Sequence, residues 1–171
     1  MGTLSRAVKA IPVAALALGL VGVAAAVTLT SVAAAGPDAA KQRVMITTQA
    51  AETTTVSPAV FTPLQTGALK RDSGTQTGAI PPERVVMRDG QRVSIYDGVS
   101  TFKGKRGTFV SRYHSEWVEA GNGYHVATST WKVVRGTGQY AGVTGGGRGG
   151  SVWLDRTDAW SSRDEGFLTL P

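Results

Sequence analysis

A chain of 171 residues without a single cysteine excludes disulfides, a thiolate nucleophile, cysteine-ligated zinc and a lipidated cysteine anchor. Its length leaves room for one domain and none for a large enzyme core. Lys and Arg number 18 against 12 Asp and Glu, a formal net charge of +6, but the cations lie dispersed beside turns, which favours solvated surface charge over nucleic-acid binding.

At the amino end, Arg6 and Lys9 precede an uncharged run over 10–35, rich in Ala, Leu and Val, that ends in Ala33-Ala34-Ala35 before Gly36-Pro37-Asp38. That order matches the charged, apolar and small-residue regions of a secretory leader. Residues 1–35 are therefore expected to be a signal peptide or, because the run approaches a membrane span of ~20 residues, an uncleaved anchor and the chain's sole membrane contact. With positive charge only on its amino side, either outcome places the remainder outside the cytoplasm, secreted or tethered.

Residues 36–83 are rich in Thr and Pro, with Thr53-Thr54-Thr55, Pro58, Pro63, Pro81 and Pro82. No apolar period lasts there, which predicts an extended linker. Val44-Met45-Ile46 and Val60-Phe61 are its apolar knots, and either is able to add a short strand to the folded part.

From 84 to 171 the texture is short β-branched or aromatic runs between turn signals, the punctuation of an all-β domain. Strands are predicted at Arg84 to Met87 and Arg92 to Tyr96 around the hairpin dipeptide Asp89-Gly90, then at Val99 to Lys103. The strongest pair is Thr108 to Val118 and Tyr124 to Val134, around Glu119-Ala120-Gly121-Asn122-Gly123. Later runs at Val143-Thr144, Ser151 to Asp155 and Glu165 to Leu170 bring the count to about eight, a small antiparallel barrel. No segment keeps the i, i+3, i+4, i+7 spacing of an amphipathic helix.

Alternation across the central hairpin places Phe109, Ser111, Tyr113, Ser115 and Trp117 on one face. A two-residue turn at Gly121-Asn122 or Asn122-Gly123 would add Tyr124, Val126, Thr128, Thr130 and Lys132 to it. This mixture of aromatics and small hydroxyls suits either a packed barrel interior or a cavity lined by a few polar groups. Tyr113, Trp117, Thr128 and Lys132 are the candidate ligand-binding residues. The opposite face, with His114, Glu116 and His125, is assigned to solvent.

The other constellations point to little chemistry. The same pairing separates His114 from His125 by about 13 Å, too far for one metal ion, so neither a metal nor a cofactor is expected. His114 and Glu116 share a face but have no nucleophile beside them. Asp155, Asp158, Asp164 and Glu165 lack a calcium-loop pattern and are read as solvated. The run from Arg135 to Gly150 is rich in glycine, but no helix follows it to cradle a phosphate. It is read as turns, bulges and sheet curvature, with Tyr140 closing one end of the barrel.

Gly104-Lys105-Arg106-Gly107-Thr108-Phe109-Val110, followed by a hairpin and then Thr130 to Arg148 with its Gly136-Thr137-Gly138-Gln139-Tyr140-Ala141-Gly142 turn, resembles the small bacterial barrels of the allene oxide cyclase-like type. The likeness covers roughly the last 90 residues and rests on glycine and aromatic placement. It implies an eight-stranded antiparallel barrel whose lumen holds an apolar small molecule. Plant cyclases of this type isomerise an epoxide inside the barrel, but no matching catalytic motif is present here, so catalytic residues stay unassigned.

The leading expectation is thus an exported, non-enzymatic barrel that binds a small apolar ligand or an envelope partner. Its rival is an isomerase or cyclase using Tyr113, Lys132 or Glu116 as acid and base. A weaker reading is a polyanion binder built on Arg84, Arg88, Arg92, Lys105 and Arg106.

Overall fold

The computed structural model describes residues 40–52 and 55–171; the leader expected at 1–35 lies outside the described residues. Nine strands follow in order: β1 (Lys41–Ala50), β2 (Val56–Pro63), β3 (Asp72–Gly78), β4 (Arg84–Arg88), β5 (Gln91–Gly104), β6 (Thr108–Gly121), β7 (Tyr124–Gly136), β8 (Thr144–Leu154) and β9 (Ala159–Thr169). A single 3-10 turn, Gly138–Tyr140, separates β7 from β8. No helix among the described residues is long and apolar enough to cross a membrane.

All pairing is antiparallel, in the order β3-β2-β1-β9-β8-β7-β6-β5, and β5 returns to β3 through the register Gly74↔Gly104 to Gly78↔Ser100. Eight strands therefore close on themselves and leave no edge among them. The ninth, β4, pairs with the amino-terminal half of β5, from Arg84↔Ile95 to Arg88↔Gln91, beyond the stretch that β3 occupies. The predicted all-β barrel is the fold.

Three boundaries need correction. Residues 41–78, expected to be a linker with at most a short strand, supply β1, β2 and β3. Their alternation is genuine: Gln42, Val44, Ile46 and Thr48 are buried in β1, as are Ser57, Ala59 and Phe61 in β2. Three of those seven inward positions, Gln42, Thr48 and Ser57, are polar, so the apolar period never surfaces in the sequence. The two strands expected around Gly98 are one, β5, and the glycines from 145 to 150 belong to β8 instead of to turns.

One end of the barrel is sealed by the main core: Val44, Phe61, Leu69, Phe102, Phe109, Val133, Val143 and Leu168 gather around the fully buried Tyr140. The Tyr140 ring meets Phe61 and Phe109 edge-on at 5.1 Å between centroids, and Phe102 at 6.0 Å. Tyr140 therefore plugs the barrel end, as its place in the glycine-rich run suggested. Its hydroxyl donates to Asp72 Oδ2 at 3.3 Å. Asp72 also accepts from the backbone N–H groups of Ser73, Lys105 and Arg106 at 2.9 to 3.0 Å, binding the start of β3 to the β5–β6 turn. Buried Gln42 does the same for the β2–β3 loop, accepting from Leu69 N–H and donating to the carbonyls of Leu69 and Gln65.

Candidate functional site

Eight-stranded barrels are narrow enough for side chains to fill them, so a lumen survives only where the inward residues are small. Above the plug this barrel meets that condition by pairing serine with serine: Ser100↔Ser111, Ser115↔Ser129 and Ser151↔Ser162 are cross-strand partners that all point inward. Three of the longer inward side chains stand opposite glycine: Tyr113↔Gly98, Trp131↔Gly147 and Asp164↔Gly149. A Cβ on Gly98 would lie 2.5 Å from the Tyr113 hydroxyl, and one on Gly149 would collide with Asp164 Oδ1. The result is a cavity of about 730 Å³, running from the phenylalanine plug to the connection between β3 and β4 at 79–83.

All four tryptophans of the chain, Trp117, Trp131, Trp153 and Trp160, line this cavity, with Tyr96 and Tyr113. Such a wall combines large apolar faces with a few hydrogen-bonding groups, the usual makeup of a small-molecule site. The Trp117 indole N–H donates to Ser115 Oγ at 3.3 Å and that of Trp153 to Asp158 Oδ1 at 2.8 Å. The Trp131 indole N–H is buried with no hydrogen-bond partner among the described residues.

Of the three carboxyl groups in the lining, Glu83, Asp158 and Asp164, the one at an inward position of β9 is Asp164. It accepts from Ser129 Oγ at 3.1 Å, and no cation among the described residues pairs with it. Burial pushes this carboxyl above the ordinary carboxylate range, and the neighbouring hydroxyls of Ser129 and Ser162 offset part of that rise. Burial likewise raises the Tyr113 phenol, with the negative charge of Asp97 adding to it. Elsewhere in the lining, Glu83 Oε1 accepts from Arg92 at 2.9 Å and from Ser94 Oγ at 2.5 Å. His125 stacks on Trp153 with ring centroids 4.7 Å apart and reaches Asp155 Oδ1 at 2.9 Å.

Of the four candidate binding residues, Tyr113 and Trp117 face the lumen, and Thr128 and Lys132 are exposed on the outer surface. The cause is a β-bulge. Gly121 pairs with Tyr124 across the Asn122-Gly123 turn, but the next paired position is Glu119↔His125, so Ala120 is an extra residue. A one-residue slip exchanges the faces of the whole partner strand. It turns His125, Ala127, Ser129, Trp131 and Val133 inward, contrary to the face assignment from alternation.

Two further corrections follow. His125 belongs to the lumen lining instead of the solvent face, and Asp164, read as solvated, is a wall group because it sits at an inward position of β9 opposite Gly149. His114 and Glu116 do lie outside, in a surface network in which His114 Nδ1 meets Asp97 Oδ1 at 2.7 Å and Glu116 meets Arg88 at 2.7 Å. Glu116 and Lys132 are therefore remote from any chemistry in the lumen. Arg84, Arg88 and Arg92, proposed as part of a polyanion surface, are each paired with a carboxylate: Asp97 at 3.9 Å, Glu116 at 2.7 Å and Glu83 at 2.9 Å.

Sequence reasoning missed Ser129, Trp131, Trp153, Trp160 and Asp164. Parity alone links Trp153 to Trp160, which are cross-strand partners in β8 and β9, but only a known turn register would have made that link usable. Compared with known proteins, the chain matches no family model, no curated protein and no solved structure.

Proposed function

We propose that this chain is an exported binding barrel that holds a small molecule with an apolar body in its lumen. The observation that carries the reading is the cavity of about 730 Å³ walled by every tryptophan in the sequence. A barrel needing only stability would fill that space, since unfilled apolar volume forfeits packing energy. Export rests on the leader pattern of Arg6, Lys9 and the uncharged run to Ala35. The likeness of Gly104 to Arg148 to allene oxide cyclase-like barrels agrees with a lumenal ligand.

Asp164 favours a second reading, an isomerase or cyclase working inside the barrel. A desolvated carboxyl facing a cavity is suited to act as an acid or base. The binding reading is preferred because no second catalytic group hydrogen-bonds Asp164 apart from serine hydroxyls, and no nucleophile is activated there.

Native mass spectrometry of the protein purified from its own host tests the proposal. Retention of a small molecule of fixed mass supports it; protein that carries nothing from either envelope or medium, and takes up no apolar dye, overturns it and leaves the outer surface as the working face.

A further inference from the structure

Asp164 sits in a place made for it. Ser129, Gly149, Asp164 and Ile46 form one row across β7, β8, β9 and β1. Within that row the Asp164 side chain occupies the space that a side chain at 149 would need. Ser129 donates to the carboxylate from the next strand but one. The row lies between the phenylalanine plug and the aromatic rim, because Trp153 stands four residues further along β8 than Gly149 and Trp160 four residues from Asp164 along β9, roughly 13 Å at ~3.3 Å per residue. Trp131 lies one pleat repeat from Ser129 on the same inward face of β7.

The charges of the lining are opposite in balance to those of the whole chain. The protein carries a net +6, yet the cavity is lined by Glu83, Asp158 and Asp164 against the single guanidinium of Arg92, which is already engaged by Glu83. Among the described residues no lysine lines the cavity. A carboxylate held out of water without a counter-ion is costly, and an ordered cation beside it removes that cost. Aromatic faces of tryptophan attract cations as well, most strongly when water is excluded.

We propose that the ligand is an organic cation, an apolar or aromatic body carrying one ammonium group, with that group placed on the Asp164 carboxylate and the body extended toward the Trp153–Trp160 rim. This rests on the lumenal binding reading and names the ligand class within it. A neutral ligand of the same shape would leave the carboxylate uncompensated, and an anionic one would be repelled by it. Recognition is therefore a matter of charge at one end and area at the other.

The test uses three probes of one shape, 4-phenylbutylammonium, 4-phenylbutanol and 4-phenylbutyrate, titrated calorimetrically into the wild-type protein, Asp164→Asn and Ser129→Ala. The uncharged dye N-phenyl-1-naphthylamine is measured alongside by fluorescence. The expected result is at least tenfold tighter binding of the ammonium than of the alcohol, no detectable binding of the carboxylate, and loss of the preference in D164N with alcohol binding retained. S129A, which keeps the charge, should retain most of the preference, so that a folding defect in one variant does not decide the outcome. Equal or tighter binding of alcohol or carboxylate by the wild type overturns the cation proposal, as does a preference that survives D164N. Dye binding without binding of any of the three probes also overturns it, while sparing the lumenal reading. Absence of binding by the dye as well removes both.

Discussion

Trp117 lies directly opposite Ala127 across the β6–β7 pair. Were Ala120 paired in the ladder instead of bulged out of it, the partner of Trp117 across the Asn122-Gly123 turn would be Thr128, and Thr128, Thr130 and Lys132 would project into the lumen in place of Ser129 and Trp131. The bulge thus decides the chemistry of one wall: it buries an indole where a lysine would otherwise stand, and an unpaired ammonium in that position would cost several kcal/mol.

Deletion of Ala120 brings Glu119↔His125 next to Gly121↔Tyr124 and leaves every other β6–β7 pair as it is, so the variant is expected to fold cooperatively with the same residues of β7 facing the lumen. Ala120→Gly, at an exposed site, should stay within about 0.5 kcal/mol of the wild type. Thermal melts followed by near-ultraviolet circular dichroism check both. A deletion variant that loses its cooperative melt would mean that the bulge itself, and not only the register on its far side, is needed by the fold.

What could be read from the sequence follows from the range over which each feature is determined. The two hairpin turns were legible because their requirement is local: Asp89 and Gly90 adopt φ of 51° and 79°, Asn122 and Gly123 adopt 54° and 73°, and these residue types tolerate that region. Gly98, Gly147 and Gly149 were misleading for the opposite reason. They serve strand interiors, where the missing side chains of Gly98 and Gly149 admit Tyr113 and Asp164 and that of Gly147 lets the β9 backbone at Glu165 and Gly166 approach, a need that no local window displays. The polar inward positions Gln42, Thr48, Ser57, Asp72 and Gln76 hid β1 to β3 similarly; Gln42, Thr48, Asp72 and Gln76 are satisfied by distant partners, as Thr48 is by Gln76 Oε1 at 2.7 Å. Tyr113 and Trp117 were placed correctly because strand alternation within β6 needs no partner register.

The plug makes a separable prediction about stability. Tyr140→Phe removes one hydrogen bond to Asp72 while keeping the ring contacts, and should cost about 1 kcal/mol. Asp72→Ala strips the acceptor from the part-buried backbone N–H bonds of Lys105 and Arg106 as well as from the buried Tyr140 hydroxyl. Its cost should be about 3 kcal/mol. Urea unfolding at constant m-value separates the two; equal costs would show that the phenol carries the whole contribution of Asp72.

The pH dependence of stability follows from Asp164. Burial raises this carboxyl in the folded state, so the native protein holds the proton at pH values where the unfolded chain has released it. Between the unfolded carboxylate value of ~3.9 and the raised native value, the folded form binds more protons, and stability falls as pH rises through that window. Above the window the full cost of an ionised buried carboxylate is present; below ~3.9 it is absent. Glu165 acts in the opposite direction, because hydrogen bonds from Arg43 and Arg163 hold it below its ordinary range. Its contribution is present above the unfolded carboxylate value and lost on acidification. The two are separable by mutation, since Asp164→Asn removes only the first. That variant is expected to be more stable than the wild type at pH 7, with the difference shrinking as pH falls and vanishing near pH 3.5 (below the unfolded value of ~3.9). Paired thermal melts across this range provide the measurement, and a D164N protein that is less stable at pH 7 would show that Asp164 is held by interactions stronger than its desolvation. If the gain at pH 7 is accompanied by loss of ligand preference, the carboxylate is retained against its own cost to stability, as expected of a group kept for binding.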